Sequence, residues 1–119
     1  MAFVLKQSNT YYWPVSFDLP IDGGRFERQS FDGEFKRLPQ SVVGPMIGEL
    51  DQLESIGDMS KITEAARDVI VGWTGVTDDQ GKDIPFSQTA LDQILEIPMV
   101  NIAILKAFID SIKGAKRKN

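Results

Sequence analysis

The sequence predicts an α+β fold: an N-terminal β-hairpin followed by about four α-helices, with helix predominating. Three observations point there. Every odd position from Tyr11 to Ile21 is apolar, an Asp22-Gly23-Gly24 turn follows, and beyond Leu38-Pro39 the apolar spacing changes from two to three-and-four. A spacing of two is the period of a half-buried strand, and a spacing of three-and-four that of an amphipathic helix.

The first strand carries Tyr11, Trp13, Val15, Phe17, Leu19 and Ile21 on one face, with Pro14 and Pro20 on the other. Proline has no N–H to give a ladder, so this strand belongs at a sheet edge with those positions facing outward. Tyr12 points away from Tyr11 and Trp13, toward solvent. Gly23 and Gly24 supply the positive φ that a tight hairpin turn requires. A second strand begins at Arg25. Its apolar parity shifts between Phe26 and Phe31, which predicts a bulge or a break; the Phe31–Leu38 stretch then continues the strand or forms a third one.

In the helical region, Met46, Ile47, Leu50 and Leu53 share one helical face, and Pro45 suits a first helical turn. Because a residue before proline avoids the α region, no start before Gly44 is expected, and Gly57 closes the helix. The second helix shows Ile62, Ala65, Ala66, Val69, Ile70 and Trp73 as a stripe, with Asp58 or Ser60 as its N-cap. After a polar loop, Ser87 caps a third helix, with Phe86 and Leu91 placed as a hydrophobic staple. That helix carries Ala90, Leu91, Ile94 and Leu95 and stops before Pro98. The fourth runs from about Pro98 to Lys113 and ends near Gly114. The reading is one domain over 1–112, a hairpin region (1–40) and a helical region (41–112), then a basic tail over 113–119.

The chain has 119 residues, enough for one domain with a real core. It has no Cys, which excludes disulfides and thiolate sites, and no His, the usual acid/base group near neutral pH and the commonest metal ligand. Carboxylate and lysine chemistry stay open, but no motif points to them, and no enzyme activity, cofactor or metal is expected. The start of the chain, Met1-Ala-Phe-Val-Leu-Lys6, lacks the pattern of a signal peptide. No apolar run reaches the ~18 residues of a membrane helix, since Ile97 to Ile112 is broken by Asn101, Lys106 and Asp110. A soluble, intracellular protein is expected.

From Ser41 to Ile112 acids outnumber bases three to one. Such a body disfavours nucleic acid, whose binding draws on Lys and Arg against phosphate. The basic tail, Lys113, Lys116, Arg117 and Lys118, reads as a solvated extension favoured by a helix C-terminus. Asp78-Asp79-Gln80-Gly81-Lys82-Asp83 looks like a calcium loop. However, position twelve falls on Thr89 or Ala90, and neither supplies the bidentate carboxylate. Asp22-Gly23-Gly24 lacks the lysine and following helix of a phosphate loop. Asp51 and Glu54 are ordinary charges on a polar helix face.

The last helix is the most informative element. Val100, Ala103, Ile104, Ala107 and Phe108 form one stripe, and Ile102, Leu105, Ile109 and Ile112 a second beside it. This arc is wider than one core face needs. Either the helix is central and covered on two sides, or Ile102, Leu105, Ile109 and Ile112, with Tyr12, belong to a partner or self-association surface.

Several segments recur together in a known pattern: Met1-Ala-Phe-Val-Leu-Lys6, Tyr12-Trp-Pro-Val15, Phe31-Asp-Gly-Glu-Phe-Lys-Arg-Leu38, Val71-Gly-Trp-Thr-Gly-Val76, Ile84-Pro-Phe-Ser87 and Leu91-Asp-Gln-Ile-Leu-Glu-Ile97. With the Ala/Phe/Ile-rich last helix and basic end, the chain resembles the tail assembly chaperones of long-tailed, non-contractile bacteriophages, in their short, non-frameshifted form. The resemblance spans almost the whole chain, and its motifs are structural rather than catalytic. It implies a protein that binds the tape measure protein, keeps it soluble and brings tail tube subunits to it. It also implies a homo-oligomer, association with a longer frameshifted form, a place in the bacterial host cytoplasm and absence from the mature virion. Membrane and nucleic acid are not expected partners. The alternative is a minor tail or head–tail joining protein retained in the particle.

Overall fold

The computed structural model describes residues 2–56 and 59–114, the stretch 49–56 by its backbone. Among these residues the order is β1 (Thr10–Ile21), β2 (Arg25–Lys36), α1 (Gln40–Ile56), α2 (Met59–Val69), β3 (Ile70–Thr74), α3 (Gln88–Leu95) and α4 (Val100–Lys113). The fold is α+β. Helix does not dominate, because two 12-residue strands and a third of 5 residues form a substantial sheet.

The sheet is antiparallel in the order β1-β2-β3. Its hairpin forms as the alternation predicts, Ile21 pairing Arg25 across Asp22-Gly23-Gly24, with φ of 85° and 72° at the two glycines. Just below β1, the Arg37 N–H donates to the Asn9 carbonyl, so odd-numbered pairs are the hydrogen-bonded ones. Even-numbered N–H groups of β1 therefore face the open edge, where Pro14 and Pro20 have none to offer. Both prolines sit where they remove edge donors without breaking the ladder.

Three expectations are corrected. First, β2 runs through Phe26 to Phe35 in unbroken register with β1. Phe26 does not shift the parity; it lies on the outer face, exposed, opposite Pro20, whereas Phe31, Gly33 and Phe35 face the core. The irregularity falls at Glu34/Phe35, on the side paired with β3. The third strand is accordingly not Phe31–Leu38 but Ile70–Thr74, inside the stretch read as helical.

Second, α2 stops at Val69. Ile70-Val-Gly-Trp-Thr74 is β-branched and aromatic around a glycine, a poor helix and a good strand once β2 offers it a ladder. Ile62, Ala66 and Val69 are buried as the stripe predicts, but Trp73 reaches the core from the sheet. Third, α1 begins at Gln40 and contains Pro45. Gly44 lacks the Cβ that makes a pre-proline helical residue crowd the proline ring, and the helix is already nucleated by Val42 and Val43 donating to Pro39. Gly57 and Asp58, and the side chains of Leu50, Asp51, Leu53 and Glu54, lie outside what is described.

The third helix starts as predicted, Ser87 Oγ accepting from the Ala90 N–H at 3.0 Å. The fourth ends at Gly114 in the left-handed conformation, as a glycine C-cap does. It packs against β1 on one side and α2 on the other. Tyr11 Oη and Ser111 Oγ, 2.7 Å apart, tie it to the hairpin, and Asn101 Nδ2 donates to Thr63 Oγ1 at 2.9 Å to tie it to α2. Between them, Phe35 and Phe108 meet with ring centres 5.7 Å apart. Among the described residues no helix is long and apolar enough to cross a membrane.

Gly33 holds the centre of the sheet, opposite Trp13 on β1 and Trp73 on β3. A Cβ there would meet the Phe35 ring at 3.1 Å and Ile70 Cδ1 at 3.3 Å. Alanine is the better strand residue intrinsically, yet this contact should win. Gly33→Ala is expected to lower stability by about 1–3 kcal/mol in urea unfolding, as overpacked cores do. An unchanged midpoint would mean that the aromatic cluster yields freely.

Candidate partner-binding surface

The residues singled out in the sequence are not brought together as one surface. Ile102, Leu105 and Ile109 are buried, Leu105 at 1% exposure, between the sheet and α2. The wide arc of α4 is thus the arc of a central helix, and these three side chains are unavailable to a partner in this fold. Ile112, in the last turn of α4, is 41% exposed. Lys113 is exposed in the last turn; Lys116, Arg117 and Lys118 lie outside the described residues. If Leu105 is core, Leu105→Asp should abolish the helical circular dichroism itself, because it buries an unpaired charge. A folded Leu105→Asp protein would return that stripe to the surface.

Tyr12 is exposed, as its parity predicts, and it belongs to a polar cluster on the outer face of the sheet. Its hydroxyl donates to Glu34 Oε1 at 3.3 Å, and Thr10 Oγ1 donates to Glu34 Oε2 at 2.6 Å. Glu34 lies across Gly72 of β3, where a Cβ would stand 2.4 Å from its Oε1. The negative charge of Glu34, then desolvation, then the hydrogen bond raise the Tyr12 pKa above the ordinary tyrosine value. The folded chain therefore keeps this proton to higher pH than the unfolded chain. Its stabilising effect is complete below about pH 10 and is lost as pH rises through the raised value. The tyrosinate absorbance missing from Tyr12→Phe should accordingly develop at lower pH in Glu34→Gln than in the wild type. Identical curves would mean that Glu34 does not govern the phenol.

The carboxylate loop is a self-closed turn. Asp78 Oδ1 accepts from the Gln80 and Lys82 amides at 2.8 and 3.0 Å, and Thr77 bridges Asp83. Among the described residues no three His, Asp or Glu side chains gather as metal ligands.

A different surface presents apolar groups. A groove of about 300 Å³ lies between the inner face of the hairpin and the turn joining α3 to α4. Phe17 and Phe31 form its sheet side, and Val76, Ile84, Ile94 and Ile97 face them. The other residues lining it, among those described, are uncharged. Ile97 is shared with a second hollow, which reaches Met59, Pro98 and Met99. Met59, Ile97 and Met99 are all exposed, Met99 at 55%. The turn that carries Ile97 and Met99 is tight: Ile97 donates to Ile94 O, Val100 donates to Ile97 O, and Met99 takes a φ of 75°. A side chain other than glycine in that conformation is strained by about 1–3 kcal/mol, a cost often found at functional sites. The thioethers of Met59 and Met99 are adaptable apolar contacts.

Sequence reasoning missed this surface because its members come from β1, β2, α2, the loop between β3 and α3, and both ends of the α3–α4 turn. Only the apolar run around Pro98, with no charge from Ile97 to Val100, hinted at it. Exposed Phe3, Val4 and Leu5, and Phe26 on the hairpin, are further apolar groups that the periodicity did not single out. No protein-family model, curated protein or solved structure matches the chain.

Proposed function

We propose that the chain works by binding other proteins rather than by catalysis, as a tail assembly chaperone of a long-tailed bacteriophage. In this reading it holds the tape measure protein soluble in the host cytoplasm, recruits tail tube subunits and leaves before the virion matures. The observation that carries it is the exposed apolar surface of Met59, Ile97 and Met99 beside an uncharged groove. Apolar surface of this kind, rimmed by polar residues, marks a protein-binding site more often than a chance exposure. Methionine at such a site accommodates more than one partner shape. The phage assignment comes from the resemblance of the quoted segments, and it supplies the partner's identity.

A second reading has its own support. The hairpin beyond Phe17 projects from the body, residues 21–30 being exposed throughout. Twelve residues per strand span roughly 40 Å at about 3.3 Å each, and the molecule is 49 Å long. A projecting arm suits a structural tail or head–tail joining component held in the particle. Mass spectrometry of purified virions separates the two, a chaperone being absent from them.

Co-expression with the tape measure protein is the direct test. The wild-type chain should move that protein into the soluble fraction, and Ile97→Asp, at an exposed position, should not while keeping its own helical spectrum. If the tape measure protein stays insoluble beside the wild-type chain, the chaperone reading fails.

A further inference from the structure

The groove is uncharged inside, but the chain segment that supplies one of its walls is acidic. From Val76 to Met99 the chain carries Asp78, Asp79, Asp83, Asp92 and Glu96 against the single Lys82. Asp92 is paired with Arg67, and Asp78 is engaged in its own turn. Asp83 and Glu96 are exposed, have no ion pair among the described residues, and immediately precede Ile84 and Ile97 of the groove wall. On the hairpin, the Arg28 guanidinium is bound to Asp18 and lines a different hollow. Asp83 lines a hollow that shares Val76 and Ile84 with the groove, and Glu96 lines the one that shares Ile97, so two exposed carboxylates stand beside the apolar surface.

We propose that the groove binds an amphipathic helix whose apolar stripe is flanked by Lys or Arg. This rests on the reading of that surface as the partner-binding face and specifies the partner's chemistry. A helix satisfies its own backbone hydrogen bonds and needs only side-chain pockets, which is what the groove provides. An added strand is the poorer occupant, since the open edge of β1 lacks the donors of Pro14 and Pro20. Asp83 and Glu96 meet the basic flanks, so charge sets the preference among apolar helices and the apolar wall supplies the binding itself. The exposed Phe3-Val4-Leu5 of a second copy is the competing occupant, with Lys6 as its only nearby base.

Two labelled synthetic helices with one Leu/Ile stripe, flanked by Lys in one and Glu in the other, provide the test. Fluorescence anisotropy with the full chain should show the Lys-flanked helix bound about tenfold tighter at low salt, the effect of two surface ion pairs together. The difference should vanish near 1 M salt, where the Debye length is about 3 Å. The double variant Asp83→Asn, Glu96→Gln should bind both helices alike, and Ile97→Asp should bind neither. Equal affinities in the wild type at low salt, or unchanged binding by Ile97→Asp, overturn the proposal. So does Phe3→Ser abolishing a wild-type self-association while tightening peptide binding, because the groove then belongs to a second copy. Peptide preference retained while the tape measure protein stays insoluble would sink the assembly role and leave this inference standing. The opposite result would do the reverse.

Discussion

Helix α4 carries apolar side chains around most of its circumference, and no single neighbour can cover such an arc. Leaving half of it in water forfeits about 25 cal/mol for each Å² of apolar surface exposed. The fold depends on giving that helix two neighbours: β1 of the sheet on one side and α2 on the other. Phe35 reaches it from the sheet through Phe108, and Ile62, Ala66 and Val69 are buried from α2. Polar groups then fix the alignment. The Tyr11–Ser111 and Asn101–Thr63 hydrogen bonds sit near opposite ends of α4, so sliding or rotating it would break one or the other.

That sandwich also explains β3. Once α2 lies against α4, the chain leaving α2 passes the inner edge of β2, whose N–H and C=O groups need partners. Ile70–Thr74 supplies them and brings Trp73 into the core against Phe31 and Phe86. Trp73 Nε1 donates to the Ile84 carbonyl, which anchors the far side of the acidic loop and with it one wall of the groove. The groove is therefore a by-product of how the core closes. Its sheet side is the inner face of the hairpin continued beyond the body, and its other side is the loop and turn that the core pins in place. The strain at Met99 belongs to the same geometry, since the chain must reverse within a few residues between α3 and α4.

Much of this was legible locally. The alternation from Tyr11 to Ile21, the Gly23-Gly24 turn, the Ser87 cap and the Gly114 stop each depend on neighbours a few residues away, and each forms where the residues indicate. Phe26 misled because alternation says which side a residue faces but not whether the core reaches that far along the strand. Trp73 misled because a helical stripe and a short strand overlap at several positions, and only the presence of β2 decides between them. Pro45 misled because the preceding glycine removes the clash that the rule assumes.

The sequence by itself determined the α+β class, the hairpin and its turn, the Ser87 cap of the third helix and the glycine stop of the fourth, the lack of thiol and imidazole chemistry and the acidic character of the body. Those follow from composition and from interactions that close within a turn or a strand pair. The tertiary structure alone decided that Ile102, Leu105 and Ile109 are core, that the third strand comes from the middle of the chain, and that a groove opens beside Ile97 and Met99. Burial and concavity depend on which elements arrive at one place, and periodicity along the chain carries no record of that. An apolar arc states that something must cover it, and the cover here came from within.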